Sequence, residues 1–379
     1  MRCVRSLALL LVVVGSVSRL MAEVPMQVIA YVFPQDRLLQ PGEVAAKKVT
    51  RINYAFANLK DGRVVEGFAH DTENFAALRA LKKENPELTV LVSVGGWTWS
   101  GRFSDMALTK ASRKVFLDSA VAFVEKHQLD GLDIDWEYPG LVGNGNKFRA
   151  ADKQNYTLLL KELRARFDVE GRRLHRHLVT SIAVGGGDDF VEHTEMGEVQ
   201  KYVDTVNLMS YDYYSPGGDK TTGNHAPLFV DPADPKKASA DDSVKTYLAA
   251  GVPKSKIVLG VPFYGKAWSQ VGAAENGLFQ PGKAAKEVFL DYGYIAKNMI
   301  GKGFIRHWDD AAKVPYLYNP EKKLFVSYED AESLAVKTKY VRSQDLGGVM
   351  FWEYTGDSNG ALLNAIDAGL GLGVQETGK

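Results

Sequence analysis

DGLDIDWEYPG, from Asp130 to Gly140, reads as a strand with acids on one face. At a strand's period of two, Asp133, Asp135 and Glu137 point one way, and Leu132 and Ile134 point the other. Carboxylates this close raise each other's proton affinity, so at least one is expected to stay protonated near neutral pH. A solvated strand edge is the competing reading. Against it, the preceding run SAVAFVEKHQL (Ser119–Leu129) is apolar, and Leu132 and Ile134 need a buried layer to pack against. The stretch therefore points to acid/base chemistry.

Seven further apolar runs surround it: VIAYVFP (Val28–Pro34), RINYAFANL (Arg51–Leu59), LTVLVSVGG (Leu88–Gly96), HLVTSIAVG (His177–Gly185), VDTVNLMSYD (Val203–Asp212), KIVLGVPFYG (Lys256–Gly265) and LGGVMFWEY (Leu346–Tyr354). Strands this apolar are covered on both faces. Helical patterns separate them, such as Asp152–Phe167 with Tyr156, Leu159, Leu160 and Leu163 at three- and four-residue spacing. Eight such units predict an α/β fold, a closed (β/α)8 TIM barrel. An open doubly wound sheet is the alternative, but no Gly-x-Gly-x-x-Gly turn follows an early strand. Residues 268–327 are too long for one connection and carry aromatic-rich runs, so they are expected to form a small α+β insertion between strands 7 and 8. The barrel would then comprise 23–267 and 328–379.

Function in such barrels collects at the C-terminal strand ends. There stand Ser93, Gly96, Trp97 and Trp99, then Asp135, Trp136, Glu137 and Tyr138, then Met209, Tyr211 and Asp212, then Tyr264 and Trp268, and finally Trp352. With Trp99 left aside, these residues together with Tyr31 and Phe56, from the first two strands, make up the set expected to serve catalysis or contact substrate. Rings beside carboxylates suit sugars, whose apolar faces stack on aromatics while acids take the polar hydrogens.

The chain resembles glycoside hydrolase family 18, specifically bacterial-type chitinases with an α+β insertion. Asp130, Asp133, Asp135 and Glu137 match the family's DxxDxDxE signature, Ser93, Gly95 and Gly96 its Ser-x-Gly-Gly, and Met209, Tyr211 and Asp212 its Met-x-Tyr-Asp. VLGVPFYGKAW is similar to its seventh-strand motif, with Lys266 where arginine is frequent, and Gly185–Gly187 replace a Pro-Ala-Gly-like turn. The resemblance implies a chitinase that cuts β-1,4 bonds between N-acetylglucosamine units with retention and substrate assistance, an exception to the two-carboxylate scheme. It makes Glu137 the general acid and later the base, while the sugar's own acetamido oxygen attacks the anomeric carbon. Asp135 would hold the amide N–H and stabilise the oxazolinium ion, Asp133 would share its proton, and Tyr211 would donate to the acetamido oxygen. Asp212 would bind the distorted sugar. Two alternatives stay open: an endo-β-N-acetylglucosaminidase on N-glycans or peptidoglycan, and a non-catalytic chitin-binding lectin.

The 379 residues balance 46 basic against 46 acidic side chains. The first 22, with Arg2, Arg5 and an apolar run from Leu7 to Val14, read as a secretory signal peptide. Removing them takes away three arginines and leaves 43 basic against 46 acidic residues. That slightly acidic balance argues against nucleic-acid partners and, for the mature form, against membrane binding. The expected protein is a secreted monomer, extracellular or periplasmic, acting on chitin or a related polysaccharide. Cys3 is the only cysteine, so no disulfide is expected. GVPFYGK (Gly260–Lys266) imitates a phosphate loop, but Ala267 stands where Ser or Thr is required. His175 and His177 lack clustered ligands. No metal or other cofactor is expected.

Overall fold

The computed structural model describes residues 26–371. The signal-peptide reading therefore concerns residues outside the described part. In chain order the strands are β1 (Gln27–Val32), β2 (Arg51–Lys60), β3 (Arg63–Val65), β4 (Thr89–Gly95), β5 (Gly131–Asp135), β6 (Val179–Gly185), β7 (Thr205–Met209) and β8 (Ile257–Pro262). Then follow β9 (Tyr264–Ser269), β10 (Lys283–Asp291), β11 (Ile305–Asp309), β12 (Val314–Asn319), β13 (Leu324–Ser327) and β14 (Gly348–Trp352). β1, β2, β4 to β8 and β14 pair in parallel. Because β1 bonds both β2 and β14, the sheet closes into the (β/α)8 barrel.

Alternation sorts the side chains. Ile52, Tyr54, Val90, Val92, Leu132, Ile134, Val206, Leu208, Leu259 and Val261 are fully buried and belong to one apolar cluster with the surrounding helices. Each such side chain contributes about 1.5–3 kcal/mol by leaving water. The helix Lys110–Lys126 starts at Thr109, whose hydroxyl accepts from the Ser112 N–H in a capping box. The helix Asp152–Leu174 buries Tyr156, Leu159, Leu160, Leu163 and Phe167, and ends where His175 turns left-handed.

A second sheet, antiparallel in the order β10-β9-β13-β12-β11, rises between β8 and β14 with the helix Tyr292–Asn298. Trp268, read as the first residue of the insertion, sits inside β9, which already begins at Tyr264. Only Phe263 separates that strand from β8, so the chain leaves the barrel directly into the second sheet. Trp268, Val271, Leu278, Tyr316, Tyr318 and Phe325 form this sheet's own core, joined by Tyr214. Among the described residues no helix is long and apolar enough to cross a membrane.

Candidate active site

The barrel interior is polar around Asp133. Its carboxylate accepts from four strands: Ser181 Oγ at 2.6 Å, Ser93 Oγ at 2.7 Å, Tyr31 OH at 3.0 Å and Asn207 Nδ2 at 3.3 Å. Register explains the convergence, since Asp133 lies opposite Ser93 on β4 and Ser181 on β6. Burial pushes the Asp133 carboxyl up, and the three hydroxyl donors offset only part of that. Elsewhere in the interior, Arg51 donates to Thr205 Oγ1 at 2.8 Å, and burial lowers its proton affinity. Asn53 is buried with its amide unpartnered.

One pleat outward, Asp135 is 4% exposed, and its Oδ1 has no hydrogen-bond partner. Burial first, then the charges of Glu137 and Asp133, push its carboxyl well above the ordinary range. A carboxylate holding four donors next to one whose Oδ1 has none divides the labour clearly. Of the two, Asp135 is the carboxyl whose protonated form its surroundings favour more.

Glu137, just past the end of β5, is 8% exposed at the cleft. Burial pushes its carboxyl up to about 7, with Asp212 adding to the rise and Tyr138 opposing it. This acid is thus protonated through the mildly acidic range yet close enough to neutrality to give and take a proton in one cycle. Burial and the neighbouring acids hold the Tyr211 hydroxyl far above its usual range, so it remains a donor.

Asp212 behaves oppositely. Burial raises its carboxyl, but His225, Lys266 and Tyr264 outweigh that and bring it below the usual range. Tyr264 OH donates to its Oδ1 at 2.7 Å, Lys266 Nζ lies 3.1 Å from Oδ2, and His225 Nδ1 lies 3.5 Å from Oδ1. An ionised Asp212 therefore faces a protonated Glu137 across the same cleft.

The cleft holds about 1010 Å³. At its floor Trp352 stacks on Phe56 at 5.4 Å and touches Phe33 and Tyr31 at 5.5 and 5.9 Å. Trp97, 49% exposed, stands on the rim beside Tyr138. The second sheet contributes Phe289, stacked on Tyr264 at 4.0 Å, with the Lys266 ammonium 5.3 Å from both rings. A cavity lined by rings, with acids set among them, fits a sugar chain.

Of the residues expected from sequence, Tyr31, Phe56, Trp97, Asp135, Glu137, Tyr138, Met209, Tyr211, Asp212, Tyr264 and Trp352 line this cleft. Four others expected to contact substrate do not. Trp136 is 1% exposed, stacked on Phe103 and edge-on to Tyr156. It continues the outward alternation of Leu132 and Ile134. Trp268 is fully buried in the second sheet's core against Phe325. Ser93 is buried and spends its hydroxyl on Asp133. Gly96 makes room, since a Cβ there would lie 2.7 Å from the Phe56 ring. Asp130, the first acid of the signature, is also structural: it accepts from the Val90 N–H and pairs with Lys82 and Arg176.

Trp268→Ala should accordingly lower stability by about 3–5 kcal/mol, the cost of emptying a large core site. KM for an oligosaccharide should stay near the wild-type value; chemical denaturation and initial rates measure the two. A rise in KM without destabilisation would return Trp268 to the cleft.

Sequence reading missed Ser181 and Asn207, although each is a polar residue on the inward period of an apolar strand. It also missed Phe33, Phe68 and Phe289. Among the described residues no group of three or more His, Cys, Asp or Glu side chains is placed to hold a metal ion.

Chitinase A1 of Niallia circulans is 39% identical to this chain over 392 residues, covering 87% of this chain and 56% of the relative, so the chain spans little more than half that protein. The solved family 18 N-acetylglucosaminidase from Paenibacillus barengoltzii is 41% identical with a TM-score of 0.84, covering 91% of this chain and 99% of that one. A mutant class V chitinase from Nicotiana tobaccum, solved in complex with NAG4, is 27% identical with a TM-score of 0.82, covering 91% and 99%. The family model described as glycosyl hydrolases family 18 matches residues 27–357, which take in all eight barrel strands together with the second sheet. The match takes in the acids of β5 and the cleft they serve, and this chain belongs to glycosyl hydrolases family 18: it is a glycoside hydrolase.

Proposed function

We propose that this protein is a secreted chitinase that hydrolyses β-1,4 bonds between N-acetylglucosamine units with retention, through a substrate-assisted oxazolinium intermediate. One observation carries the reading. Glu137 suits a proton donor, while the neighbouring carboxyl, Asp135, is itself held protonated and buried. A neutral carboxyl is a poor nucleophile, so attack is left to a group on the substrate, and the 2-acetamido oxygen of N-acetylglucosamine is placed for it. In this scheme Glu137 protonates the departing glycosidic oxygen and later deprotonates the incoming water. Asp135 accepts the amide N–H and compensates the positive ring, and Tyr211 donates to the acetamido oxygen. Trp352 carries the apolar sugar face, and Asp212 binds hydroxyls of the distorted ring. Export rests on residues 1–22 alone.

The test is product release from N-acetylated chitooligosaccharides, read by mass spectrometry. Disaccharide is the expected product. Monosaccharide would align the chain with the Paenibacillus relative named as an N-acetylglucosaminidase. Binding without cleavage would overturn the catalytic reading.

The rate should also follow the donor's protonation. Because the acid form of Glu137 is the active one, kcat/KM should fall about tenfold per pH unit above about 7. A profile that stays flat to pH 9 would remove Glu137 as the donor.

A further inference from the structure

Both peptide groups of Glu137 are hydrogen-bonded, to partners on two loops. Its N–H donates to Ser100 Oγ at 2.9 Å. Ser100 is buried, with its hydroxyl 2.9 Å from the Gly96 carbonyl and 3.1 Å from that of Asp135. The Glu137 carbonyl accepts from Asn146 Nδ2 at 2.9 Å. Asn146 belongs to the segment between β5 and the helix Asp152–Leu174, where its N–H closes a turn onto the Val142 carbonyl at 2.7 Å.

The turn is pressed against the acid. Gly143 has φ +52°, and a Cβ on it would lie 2.2 Å from the Glu137 carbonyl oxygen. Gly101 approaches the other end of the Asn146 amide, where a Cβ would lie 3.0 Å from Oδ1. The far end of the loop is tied down by Lys147 to Asp105 at 2.8 Å and by Arg149 to Ser104 at 2.6 Å. Leu141, on the near side, lines the cleft.

We infer that Ser100 and Asn146 clamp the Glu137 peptide from both sides, and that Asn146 is a positioning residue for the proton donor. The inference rests on the reading of Glu137 as that donor. Asn146 touches no reacting atom; it fixes the plane from which the Glu137 side chain projects. Proton transfer depends steeply on donor distance, and a misplacement near 1 Å costs about 10²-fold in rate. The loss concerns protonation of the leaving group alone. It must therefore be large when the departing oxygen is a basic sugar alkoxide and small when it is an acidic phenol that leaves unaided.

Asn146→Ala and the isosteric Asn146→Asp, which turns an acceptor towards the Glu137 carbonyl, should each lower kcat on N-acetylated chitooligosaccharides by about 10²-fold with KM nearly unchanged. On the dinitrophenyl glycoside of chitobiose the same variants should stay close to wild type. Equal losses on both substrates, or none on either, would overturn the clamp. A second measurement needs no turnover: the titration of isotopically labelled Glu137 by NMR in wild type and Asn146→Ala. Released from the clamp, the carboxyl should reach solvent and titrate below the wild-type midpoint; an unchanged midpoint also overturns the inference. If the wild type cleaves neither substrate, the chitinase reading fails, and the midpoint alone decides the clamp.

Discussion

Glu137→Gln should lower kcat on N-acetylated chitooligosaccharides by roughly 10²–10⁴-fold, the range that a positioned general acid supplies. The amide keeps the volume of the side chain and most of its hydrogen bonding, and the clamp on the Glu137 peptide from Ser100 and Asn146 is untouched. It cannot, however, release a proton to the departing oxygen or recover one from water. Affinity should survive, because the rings proposed to bind the sugar, Trp352 among them, stack on one another without help from this carboxyl. The substitution also removes a buried acid whose ionisation is unfavourable, so the fold should be no less stable than wild type. Rates, oligosaccharide titrations and melting curves on the same preparation separate these effects. Turnover close to wild type would sink the assignment of Glu137, and lost binding with intact fold would mean that it holds substrate rather than transferring a proton.

The acid strand was legible because its signal is local. Period-two alternation in Leu132-Asp133-Ile134-Asp135 sorts core from interior without knowledge of any partner strand. The same rule, carried two residues further, would have turned Trp136 outward; proximity to the acids pulled it to the cleft instead. Ser181 and Asn207 carry a comparable local signal, a polar side chain on the inward period, but they lie mid-strand, away from the strand ends where function collects in such barrels. Other contributions had no local trace. Phe289 reaches the cleft because β10 pairs antiparallel with β9 and sets it opposite Lys266. That register depends on a sheet assembled from residues 264–327. Trp268 differs for the related reason that β9 runs straight on from the barrel: a ring expected at a strand's mouth is instead buried in the second sheet's own core.

Asp135→Asn distinguishes a carboxyl that merely accepts the acetamido N–H from one that also supplies charge. Burial, Glu137 and Asp133 push the Asp135 carboxyl well above the ordinary range, which favours its protonated form in the free protein. An asparagine therefore matches its resting charge, and its carbonyl can accept the amide hydrogen, so KM should change little. In the proposed mechanism, positive charge appears beside this side chain as the oxazolinium ion forms. A carboxyl can answer by passing its proton inward, because Asp133 is held by hydroxyls of Ser93, Ser181 and Tyr31 that can rotate to receive it. An amide cannot. Removing one preorganised electrostatic partner of a transition state costs about 10²–10³-fold in kcat, and a loss of that size is expected here. The alkaline limb of the profile should stay near pH 7, since Glu137 sets it. A kcat near wild type would reduce Asp135 to a hydrogen-bond acceptor. A limb displaced together with the rate would show instead that the substitution acts on Glu137, because only the donor's own titration can move it.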